Sequence, residues 1–292
     1  MYEHHLLPTN GITLHTVTAG PPEGPPVILL HGFPEFWYGW RRQIPALAAA
    51  GLRVWAPDQR GYNLSDKPPG RAAYRLDTLT QDVIGLIEAT GHSQIYLAGH
   101  DWGAMVAWSV ALTAPERVRH LAILNVPHPQ VALNHLRRDP RQMLRSTYAA
   151  FFQLPWLPEA LLSAAGHRLL SQLLRRSSRP GAFSDDDLEQ YKLAWSRPGA
   201  VSSMLNWYRA FLMSPVPHGS PRVTVPTTII WGEKDVALRS VMAEESAALC
   251  DKGELIRLPG ISHWVQHEAA DQVNRILLTR FRPGRPGVAE NF

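Results

Sequence analysis

The sequence predicts an α/β protein, with a mainly parallel sheet covered by helices on both faces and one long helical insertion. Three observations carry this. Short, wholly apolar runs recur along the chain, as buried parallel strands do. Helical patterns alternate with them, the order that builds a parallel sheet. The alternation stops between about residues 128 and 222, where the spacing is helical and no strand is visible.

The first element is a hairpin. An apolar stretch leads into Asn10-Gly11, two residues that tolerate positive φ and suit a two-residue turn, and residues 12–18 return. Buried strands follow at residues 27–30, 53–57, 95–98, 121–125, 227–231 and 255–258, with helices at 40–50, 76–90, 104–114, 241–249 and 267–281. The expected division is a core of residues 1–127 and 223–292 with a helical lid of residues 128–222. Lys and Arg outnumber Asp and Glu 12 to 6 in that lid and are outnumbered 17 to 19 elsewhere. Such an excess usually marks a solvated helical face. Its sharper meaning is attraction to anionic substrates or a lipid surface.

The 292 residues are 45% hydrophobic and 18% charged, the balance of a soluble globular enzyme. The net charge of +4 contains no long block of one sign, so no nucleic-acid partner is expected. Cys250 is the single cysteine, which excludes an internal disulfide and a cysteine-based metal site. No metal and no cofactor are expected. The start, Met1-Tyr2-Glu3-His4-His5, lacks the basic and apolar regions of a signal peptide. No run approaches the ~20 apolar residues that span a bilayer. The expectation is a cytoplasmic monomer or homodimer with no membrane span.

The central motif is Gly99-His100-Asp101-Trp102-Gly103, between an apolar strand and a helix. That is the context of a nucleophile elbow, whose tight turn needs glycine on both sides of the exposed residue. Here the exposed residue is Asp101. A carboxylate attacks an electrophilic carbon by displacement and leaves an alkyl ester, where a serine would accept an acyl group. The plainer reading is an aspartate that caps the following helix. An ester must then be hydrolysed, which needs a base and an acid to orient it. His263, in a loop after the last strand, is the candidate base. Asp235, after the preceding strand, is the candidate acid, with Glu233 as its neighbouring rival. The oxyanion of the intermediate needs two backbone N–H donors. Trp102, after the nucleophile, and Phe33, after His31-Gly32, are expected to supply them. His31 is expected to tie its loop together. A cis bond is expected before Pro34. Phe151, Phe152, Leu154, Trp156 and Trp207 are the expected apolar lining of a substrate pocket.

Seven segments resemble the epoxide hydrolases of the α/β-hydrolase superfamily. They are HGFPEFWYGWR at 31–41, DQRGYNLSDKP at 58–68, GHDWG at 99–103, YAAFFQLPWLPE at 148–159, NWYR at 206–209, WGEKD at 231–235 and GISHW at 260–264. The chain order of nucleophile, acid and histidine is that of the superfamily. The resemblance implies that two lid tyrosines, Tyr148 and Tyr208, hold the epoxide oxygen. Opening the ring creates an alkoxide far more basic than a phenol of pKa ~10, so a phenol can bond the ring oxygen and then protonate it. Tyr191 is expected to pack as an ordinary aromatic. The resemblance also implies that Glu35 helps order the hydrolytic water; otherwise it is an exposed loop acid. The implied substrate is a small apolar epoxide, with water as co-substrate. The lid motif at 148–159 is similar to those of vertebrate lipid-epoxide hydrolases.

The first and third segments also fit haloalkane dehalogenases, the alternative reading. Those often place Asn directly after His-Gly as a halide donor, where this chain has Phe33. Haloacetate dehalogenases place Arg after the nucleophile, where this chain has Trp102, and an acid near Asn125, which cannot serve as an anion. A third reading is a ligand-binding protein on a hydrolase fold without turnover, against which stand Asp101, Asp235 and His263.

Overall fold

The computed structural model describes residues 2–211, 213 and 222–281. Its sheet has eight strands: β1 (Glu3–Thr9), β2 (Ile12–Ala19), β3 (Pro26–Leu30), β4 (Arg53–Pro57), β5 (Ile95–His100), β6 (Val118–Leu124), β7 (Thr227–Gly232) and β8 (Gly253–Leu258). Their spatial order is β1-β2-β4-β3-β5-β6-β7-β8. β2 pairs antiparallel with both β1 and β4, and every other pairing is parallel. The first hairpin closes through Asn10 and Gly11, both at positive φ, with Thr9 opposite Ile12.

Strands β3, β5 and β7 are buried along their whole length, which is why they read as unbroken apolar runs. Successive side chains still point to opposite faces. Ile28, Leu30, Leu97, Ile123 and Trp231 join one core cluster; Val27, Leu29, Tyr96, Ala122 and Ile230 join the other. Among the described residues, twelve helices surround them in chain order. Helix α1 (Ile44–Ala49) covers the second cluster, and α2 (Leu76–Ala89) and α3 (Trp102–Thr113) cover the first. After β6 the chain leaves the sheet through α4 (Pro129–Arg138), α5 (Pro140–Arg145), α6 (Thr147–Phe151), α7 (Leu157–Ser177), α8 (Asp185–Trp195) and α9 (Ala200–Phe211). It returns to the sheet with β7. Helix α10 (Val241–Ala248) lies on the first face, and α11 (Val265–Glu268) with α12 (Ala270–Arg280) on the second.

Two expected helices differ from those found. The expected helix at 40–50 is a 3-10 turn at Trp37–Trp40 followed by α1 from Ile44. Pro45 stands in the first turn of α1, the one place where its missing N–H costs no helical bond. The expected helix at 267–281 is split at Ala269, whose φ of −127° is not helical. Helix α7 is also broken, at Ala164–His167, with positive φ at Ala165, Gly166 and His167.

The six-helix excursion is pinned to loops of the sheet layer. Trp195 Nε1 donates to Pro34 O at 2.6 Å, and Trp207 Nε1 to Arg60 O at 3.0 Å. Tyr74 and Ser203 share a hydrogen bond of 2.9 Å. Part of the expected 128–222 segment, residues 212 and 214–221, lies outside the described residues. No described helix is long and apolar enough to cross a membrane.

Candidate active site

The chain leaves β3 for β4 on one side, while β5 lies on the other. Open parallel sheets place their ligand crevice at such a switch point, at the strands' carboxyl ends. Asp101 stands there, directly after β5 and before α3, with φ 51° and ψ −126°. A non-glycine residue rarely adopts this backbone, which costs on the order of 1–3 kcal/mol. The turn persists because its neighbours leave no alternative. A Cβ on Gly103 would meet the carbonyl oxygens of Leu30 and His31, and one on Gly32 would meet the Asp101 side chain itself. Although Asp101 occupies the N-cap of α3, its side chain makes no capping bond. Its Oδ1 instead accepts from Phe33 N–H at 2.7 Å. The Phe33–Pro34 bond is cis.

The three distant residues expected around this turn converge. His263 Nε2 lies 3.5 Å from Asp101 Oδ2, and His263 Nδ1 lies 2.7 Å from Asp235 Oδ2. Asp235 is buried and fully engaged. Oδ2 also accepts from Asn125 Nδ2 at 2.8 Å, and Oδ1 accepts from Ala237 N–H and Leu238 N–H at 2.7 and 2.9 Å. Glu233, the rival acid, is exposed and ion-pairs with Arg257 at 3.5 Å. Burial disfavours the charge on His263, but Asp235 and Asp101 outweigh it and raise its pKa to about 10. Burial likewise raises both carboxyls, and His263 more than reverses this, holding Asp101 and Asp235 below the usual range. The resting site is therefore a carboxylate–imidazolium–carboxylate row.

Two residues of this arrangement were missed in the sequence. Asn125, read there only as an absent acid, clamps Asp235 and the Gly232 backbone, accepting from Gly232 N–H at 2.7 Å. His100, inside the elbow motif, bonds His263 O through Nε2 at 3.0 Å and so steadies the loop of the candidate base. The position of Asn125 at the end of β6 was the available signal, since strand ends line this crevice. His31 ties its loop together as expected, accepting from Gln59 N–H at Nε2 at 3.0 Å.

A cavity of about 400 Å³ opens above Asp101 and Trp102. Tyr148 of α6 and Tyr208 of α9 both line it, and their rings meet edge to face at 5.9 Å. Burial raises the pKa of each phenol, and the Asp101 carboxylate raises both further, so both are protonated at neutral pH. Trp102 packs against Tyr208 at 4.9 Å, and its amide is the first of α3, without an intrahelical acceptor. The apolar wall comes from Met105, Val126, Leu136, Phe211, Leu238 and Met242.

The pocket lining expected from the sequence is not the one found. Phe151, Phe152, Leu154, Trp156 and Trp207 are absent from the cavity wall. Phe152 is buried behind it, packed on Phe33 and Tyr208, and Trp207 is buried as the anchor to Arg60. Trp156 and Leu154 are solvent-exposed, and Phe151 is half-buried against the core. Composition names apolar residues near a pocket, but helix rotation decides which of them face it. Glu35 is not the exposed loop acid of the plainer reading. It is fully buried, neither exposed nor in the cavity wall. Its carboxylate accepts from Tyr191 at 2.6 Å, His267 Nε2 at 2.7 Å and Gln266 Nε2 at 2.9 Å. Tyr191 is thus a hydrogen-bond donor as well as a packing aromatic.

The alpha/beta hydrolase fold family matches residues 25–270. Among curated proteins, the AB hydrolase superfamily protein YfhM of Bacillus subtilis is 47% identical over 270 residues, 92% of this chain and 94% of the relative. Epoxide hydrolase 4 of Homo sapiens is 40% identical, over 92% of this chain and 76% of the relative. Among solved structures, an epoxide hydrolase of Bacillus megaterium in complex with an inhibitor superposes with a TM-score of 0.89 at 30% identity, covering 94% of this chain and 99% of that one.

Proposed function

The chain belongs to the α/β-hydrolase family, and from that membership we propose that it opens small apolar epoxides to vicinal diols through an ester on Asp101. The observation that carries this is one cavity with the Asp101 carboxylate on its floor and the phenols of Tyr148 and Tyr208, from two different helices, on its wall. Its likeness to proteins named epoxide hydrolases supports the same reading. In this reading the described residues of 128–222 serve as the lid, and those of 1–127 and 223–292 as the core.

Oδ1 of Asp101 is held by the Phe33 amide, so Oδ2 attacks the ring carbon. The carbon–oxygen bond of the ring breaks, and its oxygen takes a proton from Tyr148 or Tyr208. Esterification removes the charge of Asp101, and with it part of what holds His263 protonated. Its pKa falls from about 10, and it gives its proton to the tyrosinate, leaving a neutral imidazole and both phenols protonated. Alkylation thus switches on its own base. His263 then takes a proton from water, and the hydroxide adds to the ester carbon. The resulting oxyanion, on Oδ1, lies at the Phe33 amide, with the Trp102 amide as second donor. Collapse releases the diol and restores the carboxylate. The leaving alkoxide takes the proton of the re-formed carboxyl, and the proton that His263 took from water stays on it, which restores the resting row. Glu35 holds the loop of Phe33 and the α11 turn together and orders the hydrolytic water from behind, through His100 and Gln266.

The test is to separate the half-reactions. Asp101→Ala should make no diol and no adduct. His263→Gln should alkylate and stop, adding one substrate mass to the intact protein. An Asp101→Ala variant that still turns over, or a His263→Gln variant that never forms the adduct, would refute the covalent route.

A further inference from the structure

The acid of this site is held in place by the lid as well as by the core. Oδ1 of Asp235 is fixed by two amides of the turn that follows it, those of Ala237 and Leu238. That turn is exposed on its far side, with Val236 more than half exposed. What sets its shape comes from α5, across the crevice. Gln142 is 1% exposed, and its amide spans the turn. Nε2 donates to Ala237 O at 2.9 Å, and Oε1 accepts from Arg239 N–H at 3.2 Å. One side chain therefore bonds backbone groups on both sides of Leu238, whose own N–H holds Asp235. The same Nε2 reaches Ser146 Oγ at 3.0 Å, which keeps the amide from rotating. Arg145, three residues on, donates to Asp235 O at 3.2 Å, and Asp139, the N-cap of α5, ion-pairs with Arg239.

We propose that Gln142 is a positioning residue for Asp235: it acts through the 237–239 turn to set the orientation of the acid, and so the basicity of His263. The inference rests on the reading of Asp235 and His263 given above. Gln142 also lines the substrate cavity, so a lid seated over substrate and an acid in register are one structural condition. Deleting both bonds leaves the Asp235 carboxylate in place but frees the turn that aims it. Its hold on His263 weakens, and His263 becomes a weaker base.

The experiment replaces Gln142 with Met, which keeps length and loses both bonds to the turn and the one to Ser146, and with Glu, which keeps an acceptor for the Arg239 amide. Single-turnover mass spectrometry measures adduct formation and adduct decay separately, and the adduct amplitude counts competent sites, so any misfolded fraction is removed from the rates. In Gln142→Met, decay should slow by on the order of 10–100-fold, the usual penalty for misplacing a group from a distance. Alkylation should stay within about threefold. The acid limb of the decay-rate profile should move to lower pH, because the conjugate acid of a weaker base loses its proton sooner. Gln142→Glu should recover part of the decay rate. Equal slowing of both steps, with no displacement of the acid limb, means a merely structural role and overturns the proposal. Slower alkylation with unchanged decay means a substrate contact and overturns it too. Failure of the reading beneath it looks different: His263→Gln then accumulates no adduct in the parent protein.

Discussion

Asp101 illustrates how much of the chemistry is decided by the surroundings of single groups. Its carboxyl is buried, which by itself would raise its pKa, yet His263 and the Phe33 amide keep it ionised. On the acid side, alkylation in this mechanism depends only on that charge, because the phenols stay protonated. Its rate should therefore stay level from neutral pH down to below the ordinary carboxylate pKa of ~3.9. Ester decay needs neutral His263 and should fall on the acid side. The midpoint of that fall should lie below the value of about 10 that His263 holds in the free protein, because the ester has removed the Asp101 charge. Comparing the decay profile with an NMR titration of the free imidazole checks this, and coincident midpoints would sink it. The phenols make a second prediction. Tyr148→Phe or Tyr208→Phe alone leaves one donor and should slow epoxide alkylation by on the order of 10²–10⁴-fold, the worth of one general acid. Losing both should nearly abolish it, because a bare alkoxide would have to form in an apolar cavity. A halide departs without a proton. A double variant that alkylates epoxide at the parental rate, or a parent that prefers a bromoalkane, would favour dehalogenation.

Among the elements, the strand–turn–helix unit of β5 and α3 tolerates least. Nine of the twelve residues of α3 are buried, so the helix cannot shift away from β3. Gly103→Ala sets a methyl group against the backbone carbonyls of Leu30 and His31, and neither can rotate aside. The expected destabilisation is at or above the upper end of the ~1–3 kcal/mol typical of overpacking. Denaturant midpoints and the fraction of competent sites should fall together. A near-normal midpoint would mean that α3 can move. The loop between α6 and α7 depends on a lid residue, Arg209. Its guanidinium donates to the carbonyls of Phe152 and Leu154 and to Glu159. Arg209→Ala should loosen the loop, lower the melting temperature and open residues 152–159 to proteolysis. An unchanged cleavage pattern would show the loop to be held by its aromatics instead.

At the scale of the whole molecule, charges buried at the interface of lid and core tie stability to pH on both sides. Burial opposes the charge of Glu35, but His267 and His100 hold its carboxyl well below the usual range. Such a group stabilises the fold above its unfolded pKa of ~4.3, and that contribution is lost as pH falls. His263 has the opposite sign. Its folded pKa of about 10 exceeds the unfolded ~6.5, so its contribution is complete below ~6.5 and disappears as pH rises toward about 10. Urea midpoints should therefore fall at both extremes, and the alkaline loss should be much reduced in His263→Gln. An equal alkaline loss in that variant would place its origin elsewhere. Much of this molecule was legible in the sequence, because local chemistry settles it. Apolar runs gave the parallel strands, Asn10-Gly11 gave the hairpin, and the glycines around Asp101 gave the elbow. Loop residues directly after strands, such as Asp235 and His263, were legible for the same reason: in a parallel sheet all those ends open on one crevice. The tertiary structure alone decided what depends on rotation and reach. It decided which lid residues face the cavity, so that Phe211 and Leu136 do and Trp156 and Trp207 do not. It buried Glu35 among donors that lie more than 150 residues away in the chain. It also brought Gln142 to the turn after Asp235, some 95 residues distant. No periodicity records a hydrogen bond between segments so far apart, because its geometry exists only once the layers have packed.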